Sequence, residues 1–144
     1  MSGLSVFLKE NKKIRSNFKV AATKSILDEE GNPVEFEFRP LTTKQNDALR
    51  DACTTEVPVP GKKGQYKTAF DRSKYMAKVI AETCVYPNLR SVELQDSYGV
   101  KTPEALIQEL VDDPGEYNAL FEAVALNNGF DEEKENNKVD QVKN

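Results

Sequence analysis

No histidine occurs anywhere in the 144 residues. That removes the commonest general base, every Ser-His or Cys-His nucleophile arrangement and the usual nitrogen ligands of zinc. Lysines and carboxylates can still do acid–base work, but no arrangement of them here makes an enzyme, and no cofactor motif is present. Long apolar runs are missing too: none approaches the roughly 20 residues that span a bilayer. Near the N-terminus only Val6, Phe7 and Leu8 are consecutive large apolar residues before Lys9, so a signal-peptide core is absent. The reading is a cytoplasmic protein without a membrane partner. Cysteine is scarce as well. Cys53 and Cys84 fall in separate predicted helices and form no CxxC pair; they read as small buried hydrophobes of a reducing compartment.

What is present suits one small domain. Hydrophobic residues make up 38% and charged residues 31%, enough for a modest core. The net charge is only −4, but the signs are segregated. Met1 to Leu27 holds six basic residues (Lys9, Lys12, Lys13, Arg15, Lys19, Lys24) against Glu10 alone, whereas Thr102 to Glu135 holds ten acidic residues against Lys134 alone. Such a split favours a partner with a basic surface, or head-to-tail self-association. Two independently solvated faces are the plainer alternative.

The periodicities predict an α+β fold, predominantly α-helical, with one N-terminal antiparallel β-hairpin packed on about five helices. Residues 2–11 can make a short helix with Leu4, Phe7 and Leu8 on one side. In "VEFEFRPL", Val34, Phe36 and Phe38 alternate with Glu35, Glu37 and Arg39, the period of a strand with one buried face. Gly31, Asn32 and Pro33 mark the turn, so the hairpin spans about 17–39. Helices are expected from about 42 to 130. Thr42 or Thr43 caps the first, with Leu41, Ala48, Leu49 and Ala52 inward. "TTEVPVPGKKGQYKT" reads as a long exposed loop. A helix from about Ala69 to Val85 follows, ended by Tyr86-Pro87, and then a short one closed by Gly99.

Two further helices carry explicit capping signals. Thr102 caps one, with Pro103 at its first position and Leu106, Ile107, Leu110 and Val111 as its stripe. Asp113, Pro114 and Glu116 start the last, as cap, helical proline and reciprocal Glu; Tyr117, Leu120, Phe121 and Val124 follow at i, i+3, i+4, i+7. Asn128-Gly129 fits its left-handed end, with Phe130 folding back. Domain 1–130 therefore precedes an acidic segment, 131–144, whose only apolar residues are Val139 and Val142. That is too little to offset ordering entropy, and the segment is expected to be disordered.

Other motifs resolve into ordinary structure. "DEEGNP" lacks the alternating acidic ligands and closing Glu of a calcium loop. "GKKG", Gly61 to Gly64, has the GxxG spacing with which one class of RNA-binding domain clamps a backbone, but the prolines of "EVPVP" stand where that class needs a helix. Glu132, Glu133 and Glu135 lack a fixed cage for a metal, and Asp112-Asp113 is helix punctuation. A pI near 5.0 also argues against nucleic acid.

"LSVFLKENKK", "DEEGNPVEFEFRPLT", "YPNLRSVELQDSYG" and "PGEYNALFEAVALNNGF" before an acidic tail, in this order over roughly residues 3–130, resemble the tail assembly chaperones of tailed bacteriophages. The likeness is to the XkdN-like group, named from a defective Bacillus prophage of the PBSX type. The resemblance implies a non-catalytic protein, absent from the finished virion, that coats the helical tape-measure protein, keeps it soluble and helps recruit tail-tube subunits. In many such phages a ribosomal frameshift also makes a longer product. On this reading an exposed apolar groove in the body takes tape-measure helices, and the acidic tail is a connector. The residues expected to meet partners are Leu4, Phe7, Tyr117, Phe121 and Phe130, with Glu132, Glu133 and Glu135 on the tail. A nucleic-acid-binding regulator using the basic first thirty residues and "GKKG", and a permanent connector or tube subunit of the virion, are the competing readings.

Overall fold

The computed structural model describes residues 3–130. The expectation of disorder over 131–144, and with it the role given to Glu132, Glu133 and Glu135, lies outside the described residues. Within them, five helices and two small antiparallel sheets surround one core.

The sheet that enters the core is built on two phenylalanines. Strand β1 (Phe18–Ala21) pairs antiparallel with β2 (Glu35–Phe38), setting Phe18 opposite Phe38 and Val20 opposite Phe36. Phe36 and Phe38 are fully buried, and the Phe18 and Phe38 rings stack at 5.8 Å. Between the strands, Asp28 organises the turn. Its Oδ1 accepts from the amides of Glu30 and Asn32, and Gly31 takes φ +86°, a conformation glycine adopts without strain.

Helix α1 (Thr43–Ala52) starts in a complete capping box. Thr42 accepts the Gln45 amide, and the Gln45 side chain accepts the Thr42 amide. Leu41 is buried and Leu49 packs against the core, but Ala48 and Ala52, expected inward, face solvent.

The segment expected to be a long loop is mostly a second ribbon. Strands β3 (Thr54–Pro58) and β4 (Tyr66–Phe70) pair from Thr54–Phe70 to Pro58–Tyr66. "GKKG" is its tip, with Gly61 and Gly64 at φ +75° and +80°. The prolines are tolerated because each strand of a two-stranded ribbon has an edge on solvent, where a missing N–H is harmless. Arg50 clamps its base to the body, with its guanidinium 4.9 Å from the Phe70 ring and 5.8 Å from that of Tyr75.

Helix α2 (Arg72–Thr83) is shorter at both ends than its periodicity predicts. Ala69 and Phe70 belong to β4, and Cys84 begins a third core-sheet strand, β5 (Cys84–Tyr86), paired to β2. The helix stops where the Thr83 carbonyl accepts the Arg39 amide at 2.8 Å instead of an amide one turn on; the fully buried Thr83 hydroxyl donates to the Val79 carbonyl at 2.7 Å. The β-branched and aromatic residues Val85 and Tyr86 then favour extended chain. Cys53 and Cys84 are both free and sit at the ends of helices.

Helices α3 (Val92–Ser97), α4 (Pro103–Leu110) and α5 (Pro114–Asn127) are capped by Ser91, Thr102 and Asp113. Leu106, Ile107, Leu110, Val111, Leu120, Phe121 and Val124 join Ile80 and the two phenylalanines in one core. Glu116 does not close a reciprocal cap. It reaches across to the chain after β1, accepting from the buried Thr23 hydroxyl at 2.8 Å and the Lys24 amide at 2.9 Å.

From residue 3 to residue 11 the helix expected over 2–11 does not form. Gly3–Phe7 and Lys9–Asn11 are two short 3-10 turns. Leu4 and Phe7 are 79% and 81% exposed. With no surface to cover that stripe, so short a helix lacks the packing that sustains most protein helices.

Candidate functional site

The basic N-terminal arm and the end of α5, far apart in sequence, meet at Leu41. The Arg15 Nη2 donates to the Leu41 carbonyl at 2.6 Å, and the Leu41 amide donates to Asn128 Oδ1 at 2.7 Å. Asn128 is itself held by its Nδ2, which donates to the Val124 carbonyl at 2.9 Å. The helix end is locked by paired closing bonds: the Gly129 amide donates to Leu126 and the Phe130 amide to Ala125, with Gly129 at φ +85°. This is the Schellman closure that Asn128-Gly129-Phe130 predicts.

Between these elements runs an open groove of about 1610 Å³, bounded by the arm from Leu8 to Asn17, the stretch Arg39–Thr43 and the α5 end at Asn128–Phe130. Five basic side chains line it, Lys9, Lys12, Lys13, Arg15 and Arg39, against the single carboxylate of Glu10. Two of the five are engaged. Arg15 holds Leu41, and Arg39 pairs with Glu82 at 2.9 Å while also donating to Gln45. Lys9, Lys12 and Lys13 make no ion pair among the described residues. The apolar part of the lining is just as open, with Ile14 94% exposed beside Leu8 and Phe130. Lysine charge around uncovered apolar side chains suits a peptide that offers acidic and apolar groups together.

The residues predicted to meet partners fall into three sets. Phe130 lines the groove and is 40% exposed. Leu4 and Phe7 are open but lie further out on the arm, outside the groove lining. Tyr117 and Phe121 face inward. Phe121 is 6% exposed, edge-on to Tyr75 at 6.3 Å with the Arg72 guanidinium 5.6 Å from its ring. It is a core residue, which corrects its expected exposure: the stripe of α5 is used up against α2. Tyr117 is half-buried against the same core, and burial pushes its phenol up.

Sequence reasoning missed Lys12, Lys13 and Ile14 as groove residues, and Leu41 and Asn128 as the clasp. The cluster of basic residues before Leu27 was a usable signal for the first set; the clasp left none. Among the described residues, no three His, Cys, Asp or Glu side chains come together as a metal site. No described helix is long and apolar enough to cross a membrane.

The family of phage XkdN-like tail assembly chaperone proteins matches residues 4–143, and the chain belongs to it. Among its relatives is XkdN of the phage-like element PBSX of Bacillus subtilis (strain 168), 31% identical over 133 residues, which cover 92% of this chain and 88% of that protein. YqbN of the same strain is 36% identical over 117 residues, covering 81% of this chain and 76% of YqbN. The crystal structure of YqbN superposes with a TM-score of 0.73 at 27% identity, over 91% of this chain and 99% of that one. The fold and the role in phage tail assembly follow from that membership.

Proposed function

We propose that the chain is a transient, non-catalytic chaperone of the host cytoplasm that binds the tape-measure protein, keeps it soluble and passes it to tail-tube subunits. In this reading residues 1–130 are the binding body and the acidic segment 131–144 is a separate connector. The observation that carries it is the groove: among the described residues nothing covers Ile14, and its lining is both apolar and basic. A groove of this kind needs only an apolar stripe and a charge register from its occupant, which suits a long helical client read at many places. Family membership supports the same role.

The test is co-expression with the tape-measure protein, followed by pull-down with the full chain and with residues 1–130. Both forms should hold the client in the soluble fraction and co-purify with it. Failure of both to bind sinks the proposal and makes a nucleic-acid titration the next step. An Ile14→Asp variant should lower client recovery severalfold without shifting the unfolding midpoint, because Ile14 is almost fully exposed.

A further inference from the structure

Helix α5 stands between patches of opposite charge. The residues that close it, Asn128 to Phe130, line the groove together with Lys9, Lys12 and Lys13, which make no ion pair among the described residues. Its other end meets α4 at a corner that presents Glu109, Asp112 and Asp113, all exposed. From Thr102 to Phe130 there are six carboxylates and no lysine or arginine. Glu104 pairs with Lys78, and Glu116 is taken up by Thr23 and Lys24. Glu109 and Asp112 make no ion pair among the described residues. We infer that the α4–α5 corner of a second copy docks in the basic groove, so that copies of this chain associate head to tail.

Distance decides against neutralisation within one copy. The 14 residues of α5 hold the corner roughly 21 Å from the groove end, at about 1.5 Å per residue. Physiological salt screens exposed charges beyond about 8 Å. The helix is fixed at both ends, by the Asp113 cap and by the Asn128 clasp, so it cannot bring its two ends together. Between copies the same separation is an advantage: a copy that gives its corner to one neighbour keeps its groove for another. Such a heterologous contact extends into a row unless its rotation closes a ring. The corner also offers exposed Pro114 to the apolar part of the lining. Exposed ion pairs are individually weak and salt-sensitive, so association should grow with concentration and be reversed by salt. The contact needs this chain alone and does not depend on the client reading; a client entering the groove would displace the neighbour.

The test is sedimentation velocity on the full chain, as wild type, as Lys12→Glu/Lys13→Glu and as Glu109→Lys/Asp112→Lys. All four exchanged residues are exposed, the cap Asp113 is kept, and an unchanged circular dichroism spectrum confirms the fold. The wild type should sediment faster as its concentration rises in low salt. It should return to monomer at 1 M salt, where the screening length drops to about 3 Å. Each variant alone should lose association. An equimolar mixture of the two should regain it, because the untouched groove of one meets the untouched corner of the other. Zero-length cross-linking of mixed isotope-labelled and unlabelled wild-type chains should join Lys9, Lys12 or Lys13 to Glu109, Asp112 or Asp113 across the two isotopes. A wild type that stays monomeric to its solubility limit, variants that associate as it does, or a mixture that recovers nothing would overturn the inference. Cross-links from these lysines only to other carboxylates, or only within one isotope, would overturn it equally.

Discussion

Strands β1 and β2 pair over four residues and strands β3 and β4 over five, yet the first ribbon is core and the second is rim. β2 places two phenylalanines at the centre of the molecule and gains a third strand in β5. The β3–β4 ribbon half-buries only Val57 and Ala69 and is clamped at its base by Arg50. Backbone pairing is the same in both, so pairing does not decide which ribbon holds the fold. The difference lies in what each turns toward the helices, and it leaves the second ribbon free to vary without disturbing the body.

The sharpest way to break this contrast is a pair of substitutions. Phe38→Ala should destabilise by about 3–5 kcal/mol, the usual loss for an emptied aromatic site in a core. Val57→Ala, half-exposed on the rim, should stay below about 1 kcal/mol. Urea unfolding of both proteins measures the gap, and similar losses would refute the division into core and rim.

A middling effect is expected where the chain after β1 is tied to α5. Glu116→Ala removes two hydrogen bonds to Thr23 and Lys24 and should cost about 1–2 kcal/mol, at the modest end for bonds to a half-buried charged group. Thr23→Ala should lose part of the same energy, so the double variant should fall short of additivity. Full additivity would show that the bond between Thr23 and Glu116 does not couple the two elements.

The smallest effect concerns Cys84 in β5. Burial pushes its thiol up to about 12 from 9.0. The native thiol therefore stays protonated at pH 8, and iodoacetamide should modify it only after unfolding. Above pH 9 the unfolded chain releases this proton before the native one does, so stability should fall as pH rises. Rapid alkylation of the native protein would show that the core packing around β5 does not shield the Cys84 thiol.

Much of this fold was legible because its signals were local. Thr102-Pro103, Asp113-Pro114 and Asn128-Gly129 each specify a helix end through bonds to neighbours within a few residues. The alternation of Val34, Phe36 and Phe38 likewise marks a strand with one buried face. The β3–β4 ribbon hid because a ribbon that buries almost nothing shows no alternation, and its prolines imitate a loop. Strand β5 hid inside a helical pattern, since Cys84 stands four residues after Ile80. The same stripe that revealed α5 made Phe121 a candidate contact, and only packing against Tyr75 shows where it points. Beyond the basic cluster of its arm, the groove had no local signature. Its walls are joined by a hydrogen bond between residues 87 apart in sequence, a distance no periodicity spans.

The clasp at Leu41 has a practical consequence for anyone building with this protein. Because the amide and carbonyl of one residue, Leu41, secure the α5 end and the arm, cargo fused before Leu8 or after Phe130 arrives on the same face and competes for the same space. An affinity handle or fluorophore belongs instead at Lys62-Lys63, a tip that contributes nothing to the groove lining and, as an exposed turn, is the kind of position that accepts insertions. Placed there, a reporter leaves both chain ends free, so that either can serve as a second reporter on what enters between them.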